Sequence, residues 1–390
     1  MIDNERLDNI MNFNNLEKFL DSLVTEKGIP GVDCIVYYKN RPVFRHVSGY
    51  ADRENGIKMT GGELYNLYST SKVITCTCAL TLFEKGKFLM NDPLYEYLPE
   101  YGDVMVKETN ENGEEVLVKP KRPIIVQDLF TMSAGLSYNI GTEHIKEVQK
   151  NTDGKAPTRE IVRAIAKEPL GYHPGEHWGY SLAHDVIGGL IEVVSGKSFG
   201  EYLKESITEP LGMKNTGFAR NDDIYSKMAA QYQYDYDKKY ANRIEKTCVY
   251  CLGTEYESGG AGIISSADDY GLFVNAMANG GIGANGNRII GKSTINMMRM
   301  NCLDSNRLKD FNWQQMFGYG YGYGVRTMLH TESGSLGSVG EFGWGGAAGT
   351  YAMIDPDRQI GVFYGQHMLN NLEPYVHPRI RNLVYAALDE

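Results

Sequence analysis

The chain has 390 residues, of which 42% are hydrophobic and 23% are charged, a composition typical of a folded globular protein rather than of disordered, collagenous or coiled-coil chains. Thirty-nine Lys and Arg residues oppose 49 Asp and Glu residues, which leaves a net charge of -10 and a pI near 5.4. This charge disfavours binding to a phosphate backbone or an anionic bilayer, so we expect neither nucleic acid nor a membrane as a partner.

The first residues, MIDNERLDNIMNFNNLEKFL, contain acids and lack the basic start and apolar core of a secretory signal. No later stretch approaches the roughly 18 uninterrupted apolar residues of a membrane-spanning helix. The sequence therefore predicts a cytoplasmic protein, unless a leader was removed from the chain.

Six cysteines are too few for a disulfide scaffold of this size, and a cytoplasmic location would keep them reduced. Cys248 and Cys251 form a single CxxC, without a second pair or a nearby histidine. This pattern indicates a zinc or redox site only weakly, and ordinary small core residues are the simpler interpretation.

The predicted elements begin with an amphipathic helix over residues 15–27, which Gly28 ends, and an antiparallel hairpin follows. From about residue 70 to 215 the pattern is mainly helical. The clearest elements, in chain order, are strands Val32–Tyr38 and Val43–Val47, helices Val73–Glu84 and Asp185–Val194, strands Tyr319–Arg326, Thr350–Ile354 and Gly361–Gly365, and helix Pro378–Leu388.

No internal repeat or flexible linker divides the chain. We expect an α/β fold of the α+β type, in which helices flank an antiparallel sheet. Residues 1–65 and 255–390 would form the α/β sandwich lobe, and residues 66–254 an inserted, mainly helical lobe. The active site would lie at the junction of the two lobes.

Two aromatic stretches allow more than one interpretation. Gly318–Gly324 alternates glycine with tyrosine, which favours a strand with all its rings on one side over a phosphate-binding loop. The tyrosines between Tyr225 and Tyr256 could form the aromatic wall of a binding cleft or an ordinary surface hairpin.

Ser69-Thr70-Ser71-Lys72 is the S-x-x-K of the chain, and it stands where the predicted helix Val73–Glu84 opens. Residues three apart lie on one helix face, so the Ser69 hydroxyl and the Lys72 amine can meet. A serine becomes a good nucleophile when a neighbouring base takes its proton, and a desolvated lysine can be that base. The alternative is a serine helix cap followed by a solvated lysine, and these residues alone do not decide between the two.

Further motifs follow in order along the chain. They are Asn91-Asp92-Pro93-Leu94, Asp128–Leu136, Pro174-Gly175-Glu176, Tyr180-Ser181-Leu182, Glu209–Met213, Ser258–Gly262 and Gly343-Trp344-Gly345-Gly346. With this ordered series, the chain from about residue 15 to its end resembles the serine β-lactamase-like superfamily. It is most similar to the family VIII carboxylesterases, whose signatures are S-x-x-K, Y-x-x and W-x-G.

The resemblance implies a β-lactamase/transpeptidase-like fold and a role for each matching residue. Ser69 would be the nucleophile, Lys72 its deprotonating neighbour, and Tyr180 a second base and later acid. The backbone N–H groups of Ser69 and Ala347 would form the oxyanion hole. The residues expected to bind substrate are Trp344, Gly345, Gly346 and Leu182. Neither a metal nor another cofactor is implied.

Two departures from the β-lactamase pattern concern the substrate. Leu182 stands where β-lactamases and penicillin-binding proteins carry an asparagine, and Trp344 stands where they carry a lysine or histidine. The groups that would grip an acyl amide and a carboxylate are therefore absent. We expect a small-molecule ester as substrate and a carboxylesterase, or a transesterase or acyltransferase with the same chemistry.

The alternatives are a β-lactamase, a D-Ala-D-Ala carboxypeptidase-like penicillin-binding protein, or a non-catalytic binding protein on this scaffold. A Ser-His-Asp hydrolase is disfavoured because no G-x-S-x-G occurs. His177 and His184 are considered as pocket residues. The H-x-G strings at His173 and His177, and the S-x-N string Ser137–Asn139, are interpreted as coincidences. The oligomeric state stays open.

Overall fold

The computed structural model describes residues 11–389. Its α-helices are α1 (Asn14–Thr25), α2 (Ser71–Glu84), α3 (Val126–Phe130), α4 (Glu143–Asn151), α5 (Thr158–Ala166), α6 (Ala183–Ser195), α7 (Phe199–Leu203), α8 (Glu209–Leu211), α9 (Asp222–Lys227), α10 (Ala267–Ala278), α11 (Lys292–Met298), α12 (Arg307–Asp310) and α13 (Glu373–Asp389). Its strands are β1 (Gly31–Tyr38), β2 (Arg41–Asp52), β3 (Ile57–Lys58), β4 (Leu64–Asn66), β5 (Val106–Thr109), β6 (Glu115–Val118), β7 (Gln231–Asp235), β8 (Tyr240–Ile244), β9 (Ile264–Ser266), β10 (Tyr319–Tyr321), β11 (Arg326–Met328), β12 (Phe342–Gly345), β13 (Tyr351–Asp355), β14 (Ile360–Gly365) and β15 (Met368–Leu369).

The main sheet has eight strands in the order β10-β11-β12-β13-β14-β1-β2-β3, and its neighbours pair antiparallel. Strands from the beginning and the end of the described chain meet where β1 pairs with β14, for example at Ile35 and Phe363. The predicted antiparallel sheet built from both ends of the chain is therefore confirmed.

The sheet is covered on both faces, which explains why β1 and β14 carry apolar residues at nearly every position. Alternate side chains of a strand point to opposite faces. Ile35 and Phe363 belong to the core on the α10 side, whereas Val36 and Val362 belong to the core formed with α1 and α13. Helices on both faces of one sheet thus produce two hydrophobic layers.

The hairpin between β1 and β2 turns at Lys39 and Asn40, whose φ angles are +48° and +67°. Two consecutive left-handed residues give the turn a twist that matches the flanking strands. The predicted hairpin is confirmed, and the structure extends its second strand to Asp52.

Other predicted boundaries need correction. Tyr319–Arg326 is not one strand but the hairpin β10–β11, because the chain turns where the Gly322 N–H donates to the Val325 carbonyl at 2.8 Å. The stretch 66–254 contains the hairpins β5–β6 and β7–β8 beside its helices. The division of the chain into two lobes stays a prediction.

Helix α2 is the buried helix that positions the candidate site. All of its residues from Ser71 to Leu82 are buried, and it packs against α6. A helix that is buried all round needs no polar face, and its sequence SKVITCTCALTLFE shows none. Within residues 11–389 no helix combines the length and the apolar character needed to cross a bilayer.

We predict that Glu341→Gln destabilises the fold strongly. Glu341 is fully buried, pairs with Arg326 at 3.0 Å and accepts a hydrogen bond from the Tyr319 hydroxyl at 2.7 Å. Without the carboxylate the Arg326 charge is buried and uncompensated, so the free energy of unfolding should fall by about 3–5 kcal/mol in urea titrations. Glu143→Gln, which removes an exposed pair with Lys146, is the control and should have little measurable effect, because solvent screens exposed ion pairs. Equal effects of the two substitutions would contradict this account.

Candidate active site

Ser69 lies in a strained turn immediately before α2. This 3₁₀ turn, Tyr68–Thr70, holds Tyr68 at φ +48°, which is unfavourable for a bulky side chain. Several hydrogen bonds hold the turn. Among them, the Tyr68 hydroxyl donates to Gln231 Oε1 at 3.2 Å, and the Tyr270 hydroxyl donates to the Thr70 carbonyl at 2.9 Å. Tyr68 and Thr70 are buried whereas Ser69 is partly exposed, so the turn presents the Ser69 hydroxyl to solvent.

The sequence placed Ser69 on the first turn of the helix, and the structure places it in the 3₁₀ turn before the helix. In a 3₁₀ geometry residues i and i+3 eclipse one another, so the S-x-x-K spacing still brings Lys72 to Ser69.

Lys72 is completely buried, with 0% of its surface exposed. Its Nζ donates to the Gly260 carbonyl at 2.7 Å and to Ser69 Oγ at 3.3 Å, and it lies 4.6 Å from the centre of the Tyr180 ring. In the part of the chain that the structure describes, no carboxylate forms an ion pair with this amine. The alternative interpretation of Lys72 as a solvated surface residue is therefore wrong.

Asp185 positions the carbonyl that holds Lys72. Its Oδ1 accepts hydrogen bonds from the Tyr256 hydroxyl at 2.7 Å, from Ser258 Oγ at 2.6 Å and from the Gly260 N–H at 3.3 Å. A side chain at position 260 would overlap the Asp185 carboxylate, which is why glycine is required there. Sequence reasoning missed Asp185, which stands inside the predicted helix Asp185–Val194 and far from residue 260 along the chain.

Trp344 stacks against Tyr180 and donates a hydrogen bond to it. Its indole Nε1 donates to the Tyr180 hydroxyl at 3.2 Å, and the two rings stack at an interplanar angle of 17°. We expected the indole to offer an open apolar surface to the substrate, but only 2% of Trp344 is exposed. A hydrogen bond donated to the phenol oxygen stabilises negative charge on that oxygen.

An aromatic cluster surrounds Tyr180, and all three tryptophans of the chain belong to it. Its members are Tyr138, Trp178, Tyr180, Tyr250, Phe311, Trp313, Tyr321 and Trp344. The Tyr138 ring lies 5.1 Å from that of Tyr180 and 5.7 Å from Lys72 Nζ. Burial raises the pKa of Tyr138, so this phenol stays neutral. The strings around Tyr138 and Trp178, interpreted above as coincidental motif matches, do not predict that these two rings pack against Tyr180.

Ala347 lies in the turn after β12, not on the strand as the sequence suggested, and its residue surface is exposed. Within residues 11–389, neither its N–H nor that of Ser69 donates to a backbone carbonyl. A side chain at Gly346 would collide with the Leu67 carbonyl and Thr350 Oγ1, so glycine allows the turn to approach the Ser69 turn closely. Asn371 Nδ2 donates to the Ala347 carbonyl at 2.7 Å and holds this turn in place.

A cleft of about 460 Å³, open to solvent, lies beside these groups. Its wall is formed by Tyr68, Gln233, Val249, Tyr250, Ala347, Leu369, Asn370, Asn371, Glu373 and Pro374. Tyr68 and Ala347 connect this cleft to the Ser69 turn and to the turn after β12. Of the tyrosines between 225 and 256, Tyr250 lines the cleft, whereas Tyr236 and Tyr240 are exposed at the turn of the hairpin β7–β8. Both interpretations of that stretch therefore hold in part.

The other expected site residues lie elsewhere. Leu182 is buried and lines a separate small cavity of about 10 Å³ with Leu136 and Ile145, and its role in substrate binding stays a prediction. His177 is exposed and pairs with Asp310 at 3.1 Å. His184 is fully buried 3.7 Å from Cys76 Sγ, and burial lowers its pKa. Among residues 11–389, no group of three or more His, Cys, Asp or Glu side chains could hold a metal ion.

The comparisons with known proteins agree with this architecture. A family model described as Beta-lactamase matches residues 16–387. The chain belongs to the beta-lactamase family. Protein Rv1367c of Mycobacterium tuberculosis is 25% identical over 344 residues, which are 86% of this chain and 85% of that protein.

Two further relatives carry functional names. Esterase EstB of Burkholderia gladioli is 27% identical over 274 residues, covering 65% of this chain and 67% of its own. The solved structure of EstCE1, described as a hydrolase with promiscuous acyltransferase activity, aligns with a TM-score of 0.77 at 23% identity, over 98% of this chain and 99% of that one. The β-lactamase/transpeptidase-like fold is thereby established.

We predict that Lys72→Ala and Tyr180→Phe each lower kcat by about 100-fold, because proton transfer by a positioned group contributes roughly 10²–10⁴-fold. The Lys72 amine lies against both Ser69 and Tyr180, so the two side chains should act on one proton relay and the double variant should be little slower than either single variant. Steady-state kinetics on an activated ester is the measurement. Losses that multiply in the double variant would exclude a shared relay.

We predict that Trp344→Phe lowers kcat by about 10- to 100-fold, because a hydrogen bond to a charged group contributes roughly 1.5–3 kcal/mol. The matched control is Trp178→Phe, which removes an indole of the same cluster whose buried Nε1 has no hydrogen-bond partner in the described structure. Comparing kcat of the two variants separates the hydrogen bond to Tyr180 from the loss of ring volume. A similar loss of kcat in both variants would mean that Trp344 contributes through packing and not through its hydrogen bond.

Proposed function

We propose that this protein is a serine hydrolase that cleaves neutral carboxylic esters through an acyl-Ser69 intermediate. The observation that carries the proposal is the contact of the Ser69 hydroxyl with a buried amine, Lys72, which also lies over the ring of Tyr180. The similarity to Esterase EstB supports an ester as the substrate.

The reaction would begin with attack of Ser69 Oγ on the ester carbonyl. The hydroxyl proton passes to the Lys72–Tyr180 pair, and the N–H groups of Ser69 and Ala347 receive the developing oxyanion. The alcohol then leaves with a proton returned through Tyr180. Water attacks the acyl-Ser69 carbonyl, and the same groups carry its proton back to Ser69. The Trp344 N–H stabilises the phenol oxygen while it is charged.

The lining of the cleft favours a neutral substrate over an anionic one. Its described wall includes Glu373 but no lysine or arginine. His377 lowers the pKa of the Glu373 carboxyl although burial opposes this, so the group carries a negative charge. A carboxylate on the substrate would lose hydration and find no counter-charge there.

The acyl acceptor defines a second form of the same proposal. If an alcohol or amine occupies the cleft in place of water, the acyl group is transferred and the enzyme acts as a transesterase or acyltransferase. The open cleft beside Ala347 has room for such an acceptor. The similarity to EstCE1, a hydrolase that also has promiscuous acyltransferase activity, supports this form.

A β-lactamase or a D-Ala-D-Ala carboxypeptidase-like activity is the competing proposal, and the family match favours it. The decisive assay compares kcat/KM for neutral p-nitrophenyl esters of increasing chain length with kcat/KM for a chromogenic cephalosporin, with and without added alcohols. Preference for the esters supports the proposal, and the appearance of a new ester when an alcohol is added identifies transfer. Preference for the cephalosporin would contradict the proposed ester hydrolysis and support the competing activity.

We predict that a fluorophosphonate labels Ser69 and no other serine, because the Lys72 amine contacts Ser69. Peptide mass mapping locates the label, and Ser69→Ala is the control that should remain unlabelled and inactive. Label on another serine, or unchanged turnover of Ser69→Ala, would remove this mechanism altogether.

A further inference from the structure

Cys248 and Cys251 form a close pair of thiols at the edge of the cleft. The Cys251 N–H donates to the Cys248 carbonyl at 2.9 Å, which closes a four-residue turn. The Cα atoms at the ends of such a turn are less than about 7 Å apart, and disulfides usually bridge about 4.4–6.8 Å.

This pair differs from the other cysteines of the described chain in its surroundings. Cys251 is partly exposed. The neighbouring Cys248 side chain, together with the Arg220 guanidinium, lowers the pKa of the Cys251 thiol although burial opposes this. Arg220 is held in place by the Asn66 side chain at 2.9 Å and the Gly262 carbonyl at 2.7 Å. A lowered thiol pKa beside an arginine favours reaction of the thiolate with oxidants.

The remaining cysteines are poorly placed for such a reaction. Cys34, Cys76 and Cys78 are buried. Cys302 is partly exposed, but burial of its thiol raises its pKa to about 11. The difference points to Cys251 as the thiol that an oxidant would reach first.

Two sets of contacts connect the thiol pair to the candidate active site. Tyr250, between the two cysteines, lines the cleft, and its ring lies 5.5 Å from that of Tyr138 and 6.3 Å from that of Tyr68. The Cys248 thiol donates to the Ala261 carbonyl at 3.7 Å. Ala261 directly follows Gly260, whose carbonyl holds Lys72, so the second route reaches the buried amine.

We propose that Cys248 and Cys251 are an oxidisable dithiol, and that its disulfide slows turnover by displacing Tyr250 and the loop around Gly260. The Cys251 thiolate attacks hydrogen peroxide, forms a sulfenic acid and releases hydroxide, which takes up a proton to become water. The Cys248 thiol then attacks the sulfenic sulfur, the S–S bond forms, and a second water leaves with the Cys248 proton. Two thiols thus lose two electrons to one peroxide, and a dithiol reductant reverses the change. The effect on turnover, unlike the disulfide itself, rests on the proposed ester hydrolysis.

The experiment treats the full-length protein with hydrogen peroxide and follows two quantities. After chymotrypsin cleavage at Tyr250, peptide mass mapping without reduction should show the peptides of Cys248 and Cys251 joined, with the loss of two hydrogens. Ester kcat/KM should fall by about tenfold or more and return with dithiothreitol, since small displacements near a reacting centre can cost roughly 100-fold. Cys248→Ser and Cys251→Ser should keep their activity in peroxide, and Cys302→Ser, the matched control, should respond as the wild type does.

The possible results distinguish failure of the disulfide, of its link to the cleft, and of the proposed function. Oxidation of Cys302 with an intact thiol pair, or no joined peptides at all, overturns the proposal. A disulfide that forms without change in kcat/KM overturns the link to the cleft. If the reduced protein hydrolyses no ester, the proposed function fails, and the rate of fluorophosphonate labelling of Ser69 in the two redox states then decides the link by itself.

Discussion

A lysine amine without exposed surface lies at the centre of this site, and most of the surrounding structure can be understood as the means of holding it there. Burying a polar group costs free energy unless other groups replace its lost hydrogen bonds to water. The Gly260 carbonyl, the Ser69 hydroxyl and the Tyr180 ring are the neighbours that contact the Lys72 amine. The Ser69 hydroxyl and Tyr180 are also groups that the proposed reaction uses, so the placement of the buried amine and the proposed chemistry depend on shared contacts.

Residues farther from Lys72 hold its contacts in position. The Gly260 carbonyl can accept a hydrogen bond from Lys72 only if it stays in place, and Asp185 keeps it there through three hydrogen bonds to the segment from Tyr256 to Gly260. Helices α2 and α6, which carry Lys72 and Asp185, pack against each other, so both side chains are held by rigid elements. The aromatic cluster provides the low-polarity surroundings in which these hydrogen bonds are strong.

The parts of the fold and the site that could be predicted from the sequence are those in which the pattern is local or ordered. The helix preceding β1, the β1–β2 hairpin and the antiparallel sheet follow from periodicity and turn residues. Ser69 and Lys72 are three residues apart, and Tyr180 and Trp344 follow in an order that specifies the family. The structure brings these four residues together, whereas their catalytic roles remain proposals.

The parts that were missed depend on contacts between distant segments. Asp185 is an ordinary acid in a helical pattern until Ser258 and Gly260 are placed against it. Tyr138 and Trp178 occur in strings that resemble motifs of the wrong kind, and only packing shows their contact with Tyr180. The Gly–Tyr alternation predicts a strand over Gly318–Gly324, but only Tyr319–Tyr321 form one, because period two cannot reveal the turn after Tyr321. Likewise, nothing in the single residue Trp344 indicates whether its N–H faces a substrate or a neighbouring phenol.

The location of all three tryptophans in the cluster around Tyr180 gives this protein an optical property. Indole emission dominates the fluorescence of proteins, and here Trp178, Trp313 and Trp344 all lie in one group of touching rings. The eight-stranded sheet on the side of α1 and α13 contains no indole in its described core. The emission spectrum of the unlabelled protein therefore reports the polarity and packing of the candidate site alone. A ligand bound beside Tyr180 would change that spectrum, whereas loosening of the far side of the sheet would leave it unchanged.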